Sequence, residues 1–208
     1  MSDTHRRPIA SRDTRWAGRL ASWLVARRAS ANGISVAGML AGLAAGACLA
    51  ATPGVPVAWP LWLLAALFIQ LRLLANLLDG MVAIGRGVAS PTGELFNELP
   101  DRVSDTAVLM GLGWAAGQPA LGIAAALAAM ATAYVRAVGK GLGQASDFAG
   151  PMAKQQRMAV VTAVAVACAV LPGAWRTELT GAALWIILVL SLATALRRLL
   201  RLARALRA

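Results

Sequence analysis

Histidine and tyrosine occur once each in this 208-residue chain, cysteine twice, and acidic residues only nine times. The one histidine, His5, stands in a polar N-terminal tail and is no ligand by itself. Cys48 and Cys168 both fall inside apolar runs, where cysteine behaves as a small hydrophobe. Neither a disulfide framework nor a cysteine-based zinc site follows from two such residues. Charged residues make up 14% of the chain against 59% hydrophobic. That balance is too apolar for a soluble domain of this length and points to a polytopic membrane protein. No cleavable signal peptide is expected, because the first 30 residues are arginine-rich and lack a continuous apolar core.

What is abundant is positive charge, with 20 Lys and Arg and a formal net charge of +11. The cations are not spread as a patch. They gather in the two terminal segments and in two breaks between apolar runs, around 86–102 and 136–157. This is the distribution of cytoplasmic membrane flanks under the positive-inside rule, and it argues against a nucleic-acid partner.

Residues 1–12 read as a polar tail. From Asp13 to about Ala29, Trp16, Leu20, Trp23 and Leu24 recur at helical spacing, with Arg12, Arg15, Arg19 and Arg27 as the cationic complement. The pattern predicts an amphipathic helix lying in the membrane interface. Six apolar segments follow, at 34–52, 57–83, 102–118, 119–138, 157–174 and 179–197, each near the ~20 residues that cross a hydrocarbon core.

The breaks alternate between cation-poor and cation-rich. The predicted fold is therefore all-α, with residues 1–30 as tail and interfacial helix and 31–208 as one six-helix membrane domain. Both termini are predicted on the cytoplasmic side of the cell (inner) membrane. Trp59, Trp62, Trp114 and Trp175 are expected as an aromatic belt at the outer boundary. Gly38, Gly42 and Gly46, and the small residues from Ala124 to Ala133, read as faces for close helix packing.

Against this apolar background one stretch stands out. Asn76-Leu-Leu-Asp79-Gly80-Met-Val-Ala83 is followed by Gly93-Glu-Leu-Phe-Asn97-Glu-Leu-Pro-Asp101-Arg-Val-Ser-Asp105. Polar side chains at membrane depth are costly and mark functional sites. Asn76 and Asp79 are three residues apart, Asn97 and Asp101 four, so each pair shares a helix face. Two helices that each present two oxygen donors suit a divalent cation between them. Magnesium and manganese prefer such hard donors.

These residues resemble the motif of the CDP-alcohol phosphotransferase family, D-x2-D-G-x2-A-R-x8-G-x3-D-x3-D, with no gap needed. Asn76, Asp79, Gly80, Ala83, Gly93, Asn97 and Asp101 fall at motif positions. Asn76, Ile84 and Asn97 depart from the motif residue, which lowers the formal charge of the four acidic positions from −4 to −2. A site with fewer anions is expected to bind its metal more weakly, or to hold one ion rather than two. Asp101-Arg-x-x-Asp105 is also similar to the continuation in members resembling phosphatidylinositol phosphate synthases.

The resemblance implies a membrane transferase that moves a phosphatidyl group from CDP-diacylglycerol to a hydroxyl acceptor and releases CMP. A close variant uses another CDP-linked substrate. Asn76, Asp79, Asn97 and Asp101 are the implied metal ligands, and Asp101 the implied general base. Asn32, Asp79, Gly80, Ala83 and Gly93 are implied at the CDP moiety, with Arg86 in place of the arginine missing at 84. Asp105, Glu94 and Glu98 lie on or near the same face.

Gly150-Pro-Met-Ala-Lys154-Gln-Gln-Arg157 is similar to the segment that begins the fifth span of the synthases. With Arg136 and Lys140 it forms a basic constellation that reads either as an acceptor site, Asp105 beside it, or as positive-inside flanking. A homodimer is implied as well. Two other classes are weighed: a degenerate relative that binds CDP-lipid or partners without catalysis, and a small transporter. The transporter is disfavoured because the polar residues cluster at one mouth, without matched midplane breaks in two repeated halves.

Overall fold

The structure, a computed structural model, describes residues 14–88 and 91–207, without the side chains of Pro91, Thr92, Glu94 and Asn97. The expected tail at 1–12, with Arg12, lies outside the described residues. So do the side chains of Glu94 and Asn97. Seven α-helices run in chain order: α1 Arg15–Ala26, α2 Ala31–Ala51, α3 Trp59–Gly85, α4 Pro91–Ala115, α5 Pro119–Gly141, α6 Lys154–Val170 and α7 Gly173–Ala205. A 3-10 turn, Thr52–Gly54, follows α2, and there is no strand among the described residues.

The helix ends follow local chemistry. Ser30 caps α2, its hydroxyl accepting from the Gly33 N–H at 3.2 Å. Pro60 and Pro119 sit in the first turns of α3 and α5, where no N–H is needed. Gly117 takes φ +66° between α4 and α5, a conformation that a side chain resists, and so permits that tight turn.

Among the described residues four helical stretches are long and apolar enough to cross a membrane: Ala31–Gly54, Trp59–Gly85, Pro119–Gly141 and Gly173–Ala205. The core is drawn from α2 to α7, with Leu49, Trp62, Ile69, Leu112, Met158 and Leu184 among its members. Outside it, Leu40, Leu67, Leu127, Val166, Val170 and Leu196 are exposed, as lipid-facing side chains are.

Two expectations need correction. The apolar segment expected at 102–118 is the later part of a longer helix, which begins at Pro91. Acids and a proline look like a boundary in sequence, yet Pro100 lies inside α4, where it leaves the Phe96 carbonyl without its helical donor. Trp62 is not part of an aromatic belt. It is 2% exposed, on the buried stripe of α3 with Ala65, Ala66 and Ile69, an i, i+3, i+4, i+7 pattern. Trp59, Trp114 and Trp175 are exposed.

The glycine stripe of α2 brings three helices together. A Cβ on Gly38 would lie 2.7 Å from Ala75 Cβ of α3, and one on Gly46 would collide with the Ala107 backbone of α4. Close approach of this kind needs small residues on both sides. It places the start of α2 against the polar ends of α3 and α4. The amphipathic α1 docks on α3 with Ala17 and Ala21 buried, while Trp16 and Trp23 remain exposed. Val25 of α1 fills the space beside Gly85.

Candidate functional site

Arg72, Asn76 and Asp79 lie on one face of α3, at i, i+4 and i+7. Asp101, Ser104 and Asp105 share a face of α4, and Lys154 and Arg157 open α6. A small cleft, with room for about one water molecule (≈ 10 Å³), is lined by Ser35, Arg72, Asn76, Asp79, Asp101 and Ser104, among others. Asn76, Asp79 and Asp101, three of the four residues at the acidic motif positions, are thus brought together. The fourth, Asn97, has its side chain outside the described residues.

The two carboxylates of the cleft have different partners. Asp79 Oδ2 accepts from Ser35 Oγ at 2.7 Å, and Oδ1 accepts from the Gly80 N–H at 2.6 Å. Both donors are neutral. Asp101 is held by cations instead: Arg72 Nη2 donates to Oδ1 and Lys154 Nζ to Oδ2. Lys154 Nζ also donates to Asn76 Oδ1 at 2.9 Å. Deeper in, Arg157 Nη2 donates to Asp105 Oδ2 at 3.0 Å, and Arg72 Nη2 lies 3.9 Å from Asp105 Oδ1.

Asp79, Asp101 and Asp105 are thus set against Arg72, Lys154 and Arg157, all six buried. Removing one partner from a buried pair typically costs about 3–5 kcal/mol, because the other charge is left uncompensated. The Nε and Nη1 atoms of Arg72 are buried with no hydrogen-bond partner among the described residues. Such atoms are costly in a closed site and suit an anion that enters it.

The donor set fits one hard divalent cation. Asp79 faces only neutral donors, and the amide oxygen of Asn76 and the carboxylate of Asp101 share its cleft. Among the described residues no three His, Cys, Asp or Glu side chains converge as a richer metal centre.

Several residues expected at the CDP moiety lie outside the lining of this small cleft. Arg86 donates to the carbonyls of Arg28, at 3.3 Å, and Ala29, at 2.8 Å, and so ties α3 to the link between α1 and α2. Asn32, Gly80, Ala83, Gly93 and Arg86 do not line the cleft. The basic constellation divides in two. Lys154 and Arg157 are spent on the buried carboxylates.

Arg136 bonds Glu98, which also pairs with Arg102 at 3.3 Å, and lies 5.1 Å from the Phe148 ring centroid. It lines a second cavity of ≈ 150 Å³ with Gln144, Asp147, Arg198 and Arg201. Arg198 reaches the carbonyls of Ala149 and Thr132, at 3.0 and 2.8 Å. Gly150, at φ +143° and pressed against Thr194, fixes the α5–α6 connection to α7. Arg72 and Ser35 line the cleft and Arg198 the second cavity, though no motif position marks them. The signal for Arg72 was present, since it is a lone cation within an apolar run.

The fold is found in known structures. The phosphatidylinositol phosphate synthase PgsA1 of Mycobacterium tuberculosis, with CDP-DAG bound, matches at TM-score 0.75 and 21% identity, over 91% of this chain and 94% of that one. The same synthase in complex with manganese and citrate matches at TM-score 0.72 and 20% identity, over 89% and 88%. Its apo form matches at 0.70 and 22%, over 87% and 93%. The two proteins share one fold. It is all-helical, as the apolar segments predict, with apolar helices long enough to cross a membrane. No protein-family model matches the chain, and no curated protein matches it in sequence.

Proposed function

We propose that this protein is an integral membrane transferase that moves a phosphatidyl group from CDP-diacylglycerol to a hydroxyl acceptor, releasing CMP in phospholipid synthesis. One observation carries the reading. Asn76, Asp79 and Asp101 line a single cleft at their motif spacing, in a fold shared along nearly its whole length with a synthase seen with CDP-DAG bound. The acceptor is proposed to be anionic, a phosphorylated alcohol, because Arg136, Arg198 and Arg201 surround the second cavity. The six-span topology with cytoplasmic ends and a homodimer belong to the same proposal.

Asn76, Asp79, Asn97 and Asp101 would hold magnesium or manganese, whose chemistry when bound is to polarise the phosphoryl oxygens of the donor. Ser35 and the Gly80 N–H orient the Asp79 carboxylate. Arg72 and Lys154 offer positive charge to the diphosphate, and its arrival gives both cations a second anionic partner. One oxygen of Asp101 is then released to accept the proton of the attacking hydroxyl. The small residues Gly80, Ala83 and Gly93 leave room for the cytidine and ribose beside the backbone. Arg86 is assigned to the α1–α2 link.

A second reading, binding of CDP-lipid without catalysis, draws on the way both Asp101 oxygens are already paired with cations. The deciding experiment is CMP release from CDP-diacylglycerol by the purified protein in detergent. It is run across a panel of alcohols and phosphorylated alcohols, with magnesium, manganese or chelator. Release that depends on acceptor and metal supports the transferase. Saturable donor binding without release supports the second reading.

A further inference from the structure

The position of Lys154 goes further than its expected role at the acceptor. Its ammonium lies within hydrogen-bond distance of Asn76 on α3 and Asp101 on α4, two of the motif positions that face each other across the cleft. It is buried, on a side chain 9% exposed. It opens α6, where the helix dipole disfavours a cation, so the acceptors hold it there against that field. The residue at 76 is the neutral member of its pair. An asparagine oxygen accepts a hydrogen bond from an ammonium, yet adds no charge that would call for a metal ion.

Charge counting agrees with the geometry. Asp101 and Asp105 are paired with Arg72, Lys154 and Arg157, with Arg102 3.9 Å from Asp101, while among the described residues Asp79 hydrogen-bonds only to a hydroxyl and an N–H. One carboxylate of the cleft is therefore left facing neutral donors. A divalent ion on the Asn76–Asp101 edge would have to displace the ammonium.

We propose that Lys154 is a built-in cation that occupies the Asn76–Asp101 edge of the cleft in place of a divalent ion. The protein then takes no more than one such ion, on the Asp79 side. The inference rests on the metal assignment above and narrows it: Asp79 is the carboxylate left to the ion, and Asn76 and Asp101 hold the ammonium. Asn76, neutral where the motif has an acid, and the Lys154 ammonium together leave that edge to a tethered monovalent cation.

The test is manganese binding to the full chain in detergent at fixed ionic strength, by titration calorimetry and by the electron paramagnetic resonance signal of free Mn2+. The parent is expected to bind no more than one ion per chain. Lys154→Met is expected to gain a second ion or to bind manganese at least tenfold more tightly, and Lys154→Arg to stay near the parent. Two ions in the parent overturn the proposal, and that measurement needs no variant to fold. A folded Lys154→Met that matches the parent in stoichiometry and affinity overturns it too.

CMP release measured on the same samples separates the two claims. A parent with two ions that releases CMP defeats the inference and keeps the transferase. One ion in the parent, two in Lys154→Met and no release in either does the reverse.

Discussion

Ser35 Oγ lies 2.7 Å from Asp79 Oδ2, a buried hydrogen bond between residues 44 apart in sequence that joins α2 to α3. It exists because Gly38, one turn below Ser35, presses α2 against Ala75. Partners that orient a ligating carboxylate commonly carry 10–100-fold in metal affinity. Ser35→Ala is therefore expected to weaken manganese binding about tenfold and to leave the fold intact, and Ser35→Thr to keep most of the affinity. Titration calorimetry on the three proteins checks this. Equal affinity for Ser35→Ala would remove the serine from the site.

The same helix contact gives a stability prediction. A side chain at Gly46 meets the Ala107 backbone, which cannot move aside without parting α2 from α4, whereas a Cβ on Gly54 meets nothing within 4 Å. Gly46→Val should cost about 1–3 kcal/mol as overpacking. Gly54→Ala should stay within about 0.5 kcal/mol. Thermal unfolding in detergent compares the two. Similar midpoints would mean that α2 and α4 are less closely packed than the glycine stripe requires.

How much of this was legible depended on cost. Asp79 and Asp101 were readable because a carboxylate in an apolar helix has few reasons to be there except a site. The spacing then drew in Asn76 and Gly80. Arg72 carries the same kind of cost but lies outside the motif, and only the fold sets it beside Asp101. Ser35 was hidden because a serine near a helix start reads as ordinary capping chemistry. Pro100 and four acids argue locally against a helix, so the apolar pattern alone marks only 102–118, while α4 runs from Pro91 through the proline and carries Asp101 on it. Lys154 and Arg157 read equally well as membrane flank or acceptor site, and sequence alone cannot show that a cation is already paired.

The topology proposal has its own check. The cation-poor breaks near Gly54 and Gly117 are expected on the outer side, and both termini on the cytoplasmic side. The native Cys48 and Cys168 are first replaced by alanine, and single cysteines are then placed at Ser2, Gly54 and Arg207. Labelling of Gly54→Cys from outside intact cells, with Ser2→Cys and Arg207→Cys reached only after permeabilisation, is the expected outcome. Termini on opposite faces would break the six-span arrangement.

The last prediction separates Asp79 from Asp101. Asp79 accepts from neutral donors, so Asp79→Asn removes one charge and leaves no cation stranded. It should lose metal-dependent binding of CDP-diacylglycerol while unfolding near the parent midpoint. Asp101→Asn leaves Arg72 and Lys154 without their shared carboxylate. It should be destabilised by about 3–5 kcal/mol, and its transfer should fall by about 10²–10⁴-fold, the usual worth of a positioned base. The double variant Asp101→Asn/Lys154→Gln keeps those two causes apart. Removing one charge of each sign should restore much of the stability, as coupled neighbours do in a double-mutant cycle, and leave transfer as low as in Asp101→Asn. Thermal unfolding and single-turnover transfer, measured on the same samples, read both effects. If the double variant regains transfer along with stability, Asp101 holds the cleft together and does not take the proton.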